Sequence, residues 1–293
     1  MSAAPDGVLP VDKPVGPTSH DVVALARRGL GTRRIGHTGT LDPFASGLLL
    51  LCIGQATRLA EYLTDLPKTY RATVRLGVAT DTDDLTGDVI ERRPGAEHLS
   101  EDDVRDALNQ QTGEILQLPP RYSAKRVGGE RLYAAARRGV ELERTPVRVT
   151  IYRLEILEMS LPDMEIEVEC SSGTYIRAIA RDVGETLGVG GHLTALRRTR
   201  VGSHGVGNAI SPEAFGDESA VTGSMISLPE AVSHLPNIIV DERGEKALSY
   251  GQFLDAPDEA PSEVPLAILS GDGRLLAIGE RDGTRIRPRK VLQ

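Results

Sequence analysis

The stretch His37-Thr-Gly-Thr-Leu-Asp-Pro-Phe-Ala-Ser-Gly-Leu-Leu-Leu-Leu51 joins a polar, glycine-bearing turn to a run of four leucines. An apolar run that follows turn residues predicts a buried strand, here over residues 48–53. Asp42 stands at the mouth of this strand, so its carboxylate is expected close to the core and only partly solvated. Because Asp-Pro is also common turn chemistry, the sequence leaves two roles for Asp42: it shapes the turn, or it reacts.

The composition bounds the class of protein. A chain of 293 residues suffices for one large domain and a small one, since a domain commonly takes about 100–200 residues. Hydrophobic residues make up 40% and charged residues 26%, which is typical of a globular protein.

No segment reaches the roughly 18 uninterrupted apolar residues of a membrane helix, and the N-terminus lacks the basic and apolar blocks of a signal peptide. Cys52 and Cys170 lie far apart, which disfavours a disulfide framework. We therefore predict a cytoplasmic monomer without a membrane partner.

Charge is distributed unevenly along the chain. A net charge of −8 and a pI near 5.4 argue, taken alone, against a nucleic-acid partner. Lys and Arg nevertheless concentrate in three blocks: nine against six Asp and Glu in residues 1–80, nine against three in residues 119–153, and five against two in residues 176–205. If these blocks share a face, RNA can bind there. If they do not, they are ordinary solvated surfaces, and charge alone leaves both interpretations open.

Alternation and capping signals predict strands interleaved irregularly with helices. Such a series favours an α+β fold with a mixed, largely antiparallel sheet and flanking helices. Strands are predicted over 70–77, 148–159 and 164–170, the last two as a pair, and helices over 19–28, 55–63, 100–111, 130–138 and 174–187.

Two segments carry Pro and Gly in a way that marks loops or a boundary. Residues 12–17 predict a rigid loop. Beyond about residue 205 the chain changes to short strands with many Gly and Pro, ending in the basic tail Arg285–Lys290. We therefore expect a domain of residues 1–230 and a small β-rich domain of residues 231–293.

Common cofactor and nucleophile motifs are missing from the sequence. Gly36–Gly39 lacks the Gly-Lys-Ser/Thr ending of a phosphate loop, and Gly188–Gly191 follows a helix rather than a strand. The six His and two Cys lack metal-ligand spacing, and no Gly-x-Ser-x-Gly elbow occurs. We therefore predict that the protein uses no metal and no cofactor.

Polar and aromatic residues near loops of the basic blocks remain as candidates for chemistry. Aromatic residues make up only 3% of the chain, and Tyr70, Tyr122 and Tyr175 fall in or beside basic segments. Tyrosines beside phosphate-binding cations are typical of proteins that stack bases. The candidate set is Lys13, His37, Asp42, Tyr70, Tyr175 and Arg177.

The stretch around Asp42 resembles the active-site motif of the bacterial tRNA pseudouridine-55 synthases, the TruB family of pseudouridine synthases. The resemblance continues in family order, at compatible spacing, and covers residues 8 to about 205. Residues from about 235 are more loosely similar to the family's small RNA-binding module of the PUA type. The further matching segments are Asp12-Lys-Pro-Val-Gly16, Lys68-Thr-Tyr-Arg71, Pro120-Arg-Tyr-Ser-Ala124, Gly173-Thr-Tyr-Ile-Arg177 and Gly191-His-Leu-Thr-Ala-Leu-Arg-Arg198.

The resemblance implies the pseudouridine synthase fold and the isomerisation of uridine to pseudouridine at position 55 in the T-loop of tRNA. Asp42 corresponds to the catalytic aspartate, which acts on the ribose so that its bond to uracil breaks. Whether it attacks C1′ or removes the C2′ proton stays open. The detached base rotates and rejoins through carbon. Tyr70 corresponds to a residue that stacks on the flipped base and helps remove its C5 proton, and Arg177 to a partner of Asp42.

Four further positions are implied to bind the substrate or support its pocket. Tyr175 and Leu196 would line the base pocket. His37 would fill the gap left by the flipped nucleotide, and Lys13 would support the pocket. Judged from the residues alone, Lys13 remains compatible with an exposed lysine beside Pro14, and His37 with a residue that caps the loop.

The expected chemistry suits these residue types. A flipped base loses its stacking, and a snug pocket with stacking groups offsets that cost. A neighbouring guanidinium lowers the pKa of a buried carboxylate, and an isomerisation needs neither a metal nor a redox cofactor. Two alternatives remain: a tRNA-folding chaperone or RNA-binding module without essential catalysis, and a synthase of this family that acts on another RNA.

Overall fold

The structure, a computed structural model, describes residues 6–123, 126–127, 130–131, 138, 140 and 143–292. Over these residues the chain forms one nine-stranded sheet, a separate five-stranded sheet and two short hairpins. The strands are β1 (Gly7–Lys13), β2 (Ile35–His37), β3 (Ser46–Ile53), β4 (Lys68–Leu76), β5 (Val78–Thr80), β6 (Val89–Arg92), β7 (Gly113–Gln117), β8 (Arg126–Val127), β9 (Glu130–Arg131), β10 (Val147–Ser160), β11 (Asp163–Cys170), β12 (Gly191–Val201), β13 (His204–Gly205), β14 (Asn237–Val240), β15 (Leu254–Asp255), β16 (Pro265–Ser270), β17 (Leu275–Asp282) and β18 (Arg285–Val291).

Helices flank the large sheet. The first begins at a capping box, in which the Thr18 hydroxyl accepts the Asp21 N–H at 3.1 Å and the Asp21 carboxylate accepts the Thr18 N–H at 2.8 Å. The described helices are α1 (Ser19–Gly29), α2 (Ala60–Thr64), α3 (Glu101–Asn109), α4 (Ile176–Thr186), α5 (Glu218–Ser224), α6 (Leu228–Ala231) and α7 (Glu242–Ser249), with 3-10 turns at Gly54–Arg58, Ala96–His98, Val206–Asn208 and Pro212–Gly216.

The large sheet has the order β1-β3-β12-β4-β11-β10-β7, with β2 beside β3 and β13 beside β12. Its pairs are antiparallel except for β3 and β12, which run parallel where Ser46 lies opposite Arg197. This confirms the predicted α+β fold with a mixed, largely antiparallel sheet. The predicted pair of strands is also confirmed, as β10 and β11.

The leucine run of β3 is buried on both faces of the sheet. Leu48 and Leu50 belong to one hydrophobic cluster, whereas Leu49 and Leu51 belong to another that includes Val22 of α1. A strand with both faces covered reads as a continuous apolar run rather than an alternating one. Asp42 lies in the segment just before this strand, so the candidate carboxylate is held close to a fully buried run, residues 48–53.

Several elements differ from the sequence-based predictions. The segment predicted as a rigid loop at 12–17 begins inside β1, which extends through Lys13. The helix predicted over 55–63 is a 3-10 turn followed by the short α2, because the chain bends at Leu59, whose side chain is fully buried. Strand β12 was not predicted at all. Of the helix predicted over 130–138, the first two residues instead form strand β9, and most of the others lie outside the described residues.

The five-stranded sheet is built from residues 237–291 in the order β14-β16-β17-β18-β15, with α7 packed against it. Its strands pack on the first part of the chain through a hydrophobic cluster that joins Leu59 to Ile278 and Leu292. An ion pair between Lys290 Nζ and Glu61 Oε1, 3.0 Å apart, lies at the same junction. The basic tail, Arg285–Lys290, lies in strand β18 of this sheet. The domain boundary at residue 230 stays a prediction.

Candidate active site

The loop between β2 and β3 holds Asp42 in one position. Ser19, in the first turn of α1, is fully buried and binds both backbone groups of Leu41. Its hydroxyl accepts the Leu41 N–H at 2.9 Å and donates to the Leu41 carbonyl at 3.2 Å. On the other side of Asp42, the Pro43 carbonyl accepts the Gly16 N–H at 2.8 Å. Because both neighbours are anchored, the loop presents the Asp42 side chain in a defined direction.

Gly47 allows this loop to approach β12 closely. Its φ of +103° lies in the region that favours glycine, and a Cβ atom there would lie 2.2 Å from the Arg198 carbonyl oxygen. Gly47 is also the residue opposite Arg198 in the parallel pairing of β3 and β12. Any larger residue at this position would push β3 away from β12. The loop that carries Asp42 would then move away from Arg198 of β12.

Asp42 faces one buried arginine. Arg177 lies in the first turn of α4, and its Nε atom is 3.0 Å from Asp42 Oδ2. The Arg177 side chain is 5% exposed and that of Asp42 is 36% exposed, so the pair lies where the core meets solvent. The structure thus brings together the two residues that the resemblance couples.

The remaining donors of Arg177 are also engaged. Its Nη1 donates to the Thr82 carbonyl at 2.8 Å and lies 3.3 Å from Asp84 Oδ2, and its Nη2 donates to the Tyr122 carbonyl at 2.8 Å. Asp84 is buried, and its other oxygen, Oδ1, accepts the Thr86 N–H at 2.9 Å. Asp84 was not predicted as a site residue, because in the sequence it is only one of four aspartates between residues 81 and 88.

Burial raises the pKa of the Asp42 carboxyl, and neighbouring charges modify that rise. Arg177 makes the largest opposing contribution because a cation favours the carboxylate, and Lys13 acts in the same direction. The negative charge of Asp84 adds to the rise. Arg177 is therefore the group that does most to keep Asp42 ionised.

Lys13 is fully buried at the end of β1. Its Nζ donates to the carbonyls of Pro14 and Pro17, both at 2.8 Å. Burial lowers the pKa of Lys13 to about 8, against the opposing attraction of Asp42. The alternative of an exposed surface lysine is therefore wrong, because this ammonium group is enclosed and joins the loop after β1.

Tyr70 and Arg198 lie side by side on β4 and β12, where they are paired residues. Both side chains are buried. Burial raises the pKa of the Tyr70 phenol, and the positive charge of Arg198 opposes the rise. Arg198 Nε also donates to the Leu48 carbonyl at 2.7 Å, and its Nη2 to the Gly39 carbonyl at 3.1 Å.

Arg198 ends one of the segments that resemble the family, but no role was predicted for it. Its guanidinium binds the loop before Asp42 through the Gly39 carbonyl, and its positive charge opposes the rise in the pKa of the Tyr70 phenol. The sequence signal is the pair Arg197-Arg198: in a strand, two adjacent side chains point to opposite faces of the sheet, so recognition of β12 would have shown that the two arginines have different surroundings. The neighbouring Arg197 points the other way and pairs with Asp12 at 2.7 Å.

A cavity of about 250 Å³ opens beside the Asp42–Arg177 pair. It is smaller than the pockets of about 300–1,000 Å³ that enclose drug-sized ligands, and it fits a single small ring. The structure thus gathers five of the seven predicted site residues around one cavity. They are Asp42, Tyr70, Tyr175, Arg177 and Leu196.

His37 and Lys13 do not line this cavity. His37 lies in β2 with its ring edge-on to that of His20, at 5.3 Å between ring centroids. Burial, assisted by the charge of His20, lowers the pKa of His37 to about 4, so its ring is neutral at physiological pH. Its Nδ1 atom is buried without a hydrogen-bond partner among the described residues.

No group of three or more His, Cys, Asp and Glu side chains in the described ranges is placed to hold a metal ion. Within the same part of the chain, none of the helices has the length and apolarity required to traverse a bilayer.

Two family models match the chain in adjacent regions. Residues 27–176 match the TruB family pseudouridylate synthase (N terminal domain), and residues 177–224 match the tRNA pseudouridylate synthase B C-terminal domain. Residues 231–293 lie beyond both matched regions.

Curated relatives match over nearly their whole length. The chain is 45% identical over 291 residues to tRNA pseudouridine synthase B of Aromatoleum aromaticum, covering 98% of this chain and 92% of that protein. It is 44% identical over 292 residues to the protein of the same name from Thermobifida fusca, covering 97% of each.

Solved structures give the same result for the fold. A chain of the archaeal box H/ACA sRNP Nop10-Cbf5 complex superimposes with a TM-score of 0.76 at 27% identity, covering 99% of this chain and 86% of that one. A chain of an H/ACA RNP bound to a substrate RNA containing 2′-deoxyuridine gives 0.75 at 26% identity, covering 98% and 85%.

Proposed function

The chain belongs to the TruB family of pseudouridylate synthases, and on that premise we propose that it isomerises uridine to pseudouridine at position 55 in the T-loop of tRNA. The observation that carries this proposal is the Asp42–Arg177 pair, 3.0 Å apart on the wall of a cavity that Tyr70, Tyr175 and Leu196 also line. A cavity of about 250 Å³ admits one base and not a helix, so the uridine must leave its stack to enter.

In this proposal the Asp42 carboxylate acts on the ribose of the flipped nucleotide, either by attack at C1′ or by removal of a proton from C2′. The bond between C1′ and N1 of uracil breaks, the base rotates in the cavity, and a new bond joins C1′ to C5. C5 loses its proton and N1 gains one. The product is therefore an isomer of the substrate, and the reaction needs no net oxidant or reductant.

Arg177 serves this chemistry by holding the carboxylate in place and ionised. Its guanidinium is fixed by carbonyls at 2.8 Å on two loops, so it opposes the pKa rise of Asp42 without having to reorganise. The positive charge of Lys13 also favours the ionised form of Asp42. We assign catalytic roles to Asp42 and Arg177 on this basis, and a supporting role to Lys13.

Tyr70 is proposed to stack on the flipped base and to take part in removing its C5 proton. Its phenol is protonated in the free protein, because burial raises its pKa. The Arg198 guanidinium beside the phenol favours the phenolate whenever the proton leaves. Tyr175 and Leu196 complete the walls of the base pocket.

We place the T-arm of tRNA in the open cleft next to this cavity. The cleft has a volume of about 690 Å³ and shares Leu196 with the base pocket. Its walls offer exposed apolar groups, including Val15 and Leu85, and the two partly exposed arginines Arg71 and Arg197. Cations and apolar surface beside a base pocket suit a phosphate backbone and unstacked bases. His37, at the end of β2, is proposed to fill the space that the flipped nucleotide leaves.

The substrate position is tested with an unmodified tRNA transcript and a matched transcript carrying cytidine at position 55. We expect pseudouridine at position 55 of the first transcript and no pseudouridine in the second. Modification of a different uridine in the first transcript would contradict the assignment to the T-loop. Absence of pseudouridine from every RNA offered would favour the chaperone alternative, in which the same pocket flips and refolds RNA without chemistry.

We further propose that residues 231–293 form a PUA-like RNA-binding unit and that the protein acts as a monomer in the cytoplasm. The unit exposes Arg285 and Arg287 on β18, which suits contact with a phosphate backbone. The free, buried Cys52 and Cys170 are compatible with a reducing compartment. Arg285→Gln with Arg287→Gln should weaken tRNA affinity, and unchanged affinity would remove the C-terminal unit from the RNA-binding surface.

A further inference from the structure

Two arginines of α4, Arg177 and Arg181, bind the same pair of loops from successive turns of the helix. We propose that Arg181 and Asp83 form a positioning pair, which fixes the turn at residues 81–84 so that its groups hold the Arg177 guanidinium against Asp42. The proposal rests on the roles assigned above to Asp42 and Arg177. Arg181 and Asp83 touch neither the base pocket nor Asp42, and they act through Arg177.

The contacts of Arg181 parallel those of Arg177. Arg181 Nη1 lies 3.1 Å from Asp83 Oδ2, and its Nη2 donates to the Leu118 carbonyl at 2.9 Å. Arg177 reaches the same two loops one helical turn earlier, at the Thr82 and Tyr122 carbonyls, both at 2.8 Å. Each arginine therefore joins α4 to both loops, and the two sets of bonds constrain one another.

The turn at residues 81–84 needs such an anchor because of its backbone. Asp83 has a φ of +61°, a conformation that residues with a side chain rarely adopt, although Asp and Asn tolerate it better than most. Its carbonyl accepts the Leu193 N–H at 3.1 Å, which fixes the turn to β12. The carboxylate on the other side of the same residue is held by Arg181.

The position of Asp83 determines where its neighbours lie. Thr82 precedes it and supplies a carbonyl to Arg177, and Asp84 follows it with Oδ2 at 3.3 Å from Arg177 Nη1. Two acceptors of Arg177 thus flank the residue that Arg181 anchors. Asp83 and Arg181 are themselves largely buried, at 12% and 15% side-chain exposure, so solvent weakens their pairing little. Burial raises the pKa of the Asp83 carboxyl, and Arg181 is the main charge that opposes the rise.

The test compares Asp83→Asn, Arg181→Gln and their combination with wild-type protein and with Asp182→Asn. Asparagine tolerates a positive φ, so Asp83→Asn removes the charge and leaves the backbone conformation accessible. Asp182 is the matched control, since it also pairs with Arg181, at 2.8 Å, but belongs to α4 itself. Its loss leaves the bonds from Arg181 to both loops in place.

The measurements are the single-turnover rate of pseudouridine formation on unmodified tRNA, its pH profile, and tRNA affinity. Misplacement of a catalytic group by a remote change lowers rates by up to about 100-fold, and we expect a fall of about 10- to 100-fold in each single variant. The combined variant should be no slower than the slower single one. The acid limb of the profile should move to higher pH, because a less firmly held Arg177 opposes the pKa rise of Asp42 less. Affinity and the Asp182→Asn rate should stay at wild-type values.

A lower melting temperature with a wild-type rate and an unmoved acid limb would overturn the proposal, because the pair would then be structural only. Strictly multiplicative losses in the combined variant would overturn it as well. If Arg181→Gln does not fold, Arg181→Lys replaces it in the test. Lysine keeps the positive charge but lacks the planar guanidinium that bonds both loops, so the expected outcomes are the same. Failure of the proposed function is recognised separately: the wild-type protein itself would then form no pseudouridine at position 55 of the unmodified transcript, before any variant is compared.

Discussion

Replacing Arg177 with methionine removes one cation from two carboxylates at once. Asp42 lies 3.0 Å from the guanidinium and is 36% exposed, whereas Asp84 lies 3.3 Å away and is 4% exposed. Stranding a buried charge costs roughly 3–5 kcal/mol, and losing a solvent-exposed pair costs about 0–1 kcal/mol. We therefore expect Arg177→Met to lower the free energy of unfolding by about 3–5 kcal/mol, mostly through Asp84.

A second substitution should restore more stability to Arg177→Met when the carboxylate that it removes is more deeply buried. Adding Asp42→Asn to Arg177→Met should recover about 1 kcal/mol or less, since that carboxylate is partly solvated. Adding Asp84→Asn should recover the larger share, because an amide oxygen can still accept the Thr86 N–H that now bonds Asp84. Neither double variant should regain activity. Arg177→Lys keeps the charge but not the planar fork, so it should fold normally and turn over slowly.

The assay is urea unfolding of each single and double variant, read as two double-mutant cycles. Arg75→Met is the control, because Arg75 pairs with Asp163 at 2.6 Å on the solvated face of the sheet and should cost about 1 kcal/mol or less. Equal recovery from Asp42→Asn and Asp84→Asn would refute the burial argument. Strictly additive losses would show that Arg177 interacts with neither carboxylate, and the proposed geometry would fail.

Three further outcomes follow from the site. Tyr70→Phe should keep tRNA affinity, since the ring still stacks, and should lose turnover on the scale of general acid–base contributions, about 10²- to 10⁴-fold; near-normal turnover would reduce Tyr70 to a stacking surface. Because burial raises the pKa of Asp42 and the reaction needs its anion, the single-turnover rate should fall with decreasing pH at a midpoint above the ordinary value of about 3.9; a midpoint at or below that value would contradict the burial. Binding should weaken with salt at a slope of about −0.7 to −0.9 per phosphate contact, and a flat plot of log affinity against log salt would remove the electrostatic part of the RNA interface.

Local patterns predicted the parts of the fold in which burial follows hydrophobicity. The leucine run predicted β3, and the alternation of apolar and polar residues predicted β10 and β11, because the positions of apolar side chains in the sequence indicate which positions are buried. Strand β12 escaped prediction since its alternation is interrupted by bulges near Leu193 and Arg198. Arg198, one of its buried polar residues, is stabilised by carbonyl acceptors that a hydrophobic pattern cannot reveal.

In the candidate site, too, some residues were predicted from the sequence and others become apparent only in the fold. Asp42 was recognised from the turn before a buried strand, and its pairing with Arg177 from the family resemblance. Asp84 is 93 positions from Arg177 in the chain, and only the fold brings the two within 3.3 Å of each other. Burial of Lys13 could not be predicted either, because the carbonyls that satisfy its ammonium belong to a proline-rich loop whose path the sequence does not define.

The central claim is that the Asp42 carboxylate performs the isomerisation, and Asp42→Asn tests it most directly. The substitution keeps the size and shape of the side chain, and Arg177 retains the Thr82 and Tyr122 carbonyls and Asp84 as partners, so folding should persist. The measurement is pseudouridine formed on unmodified tRNA by excess enzyme, with tRNA affinity recorded on the same samples. We predict wild-type affinity and no detectable pseudouridine. Product formation at a rate close to that of the wild-type protein would show that another group performs the chemistry and would contradict the account.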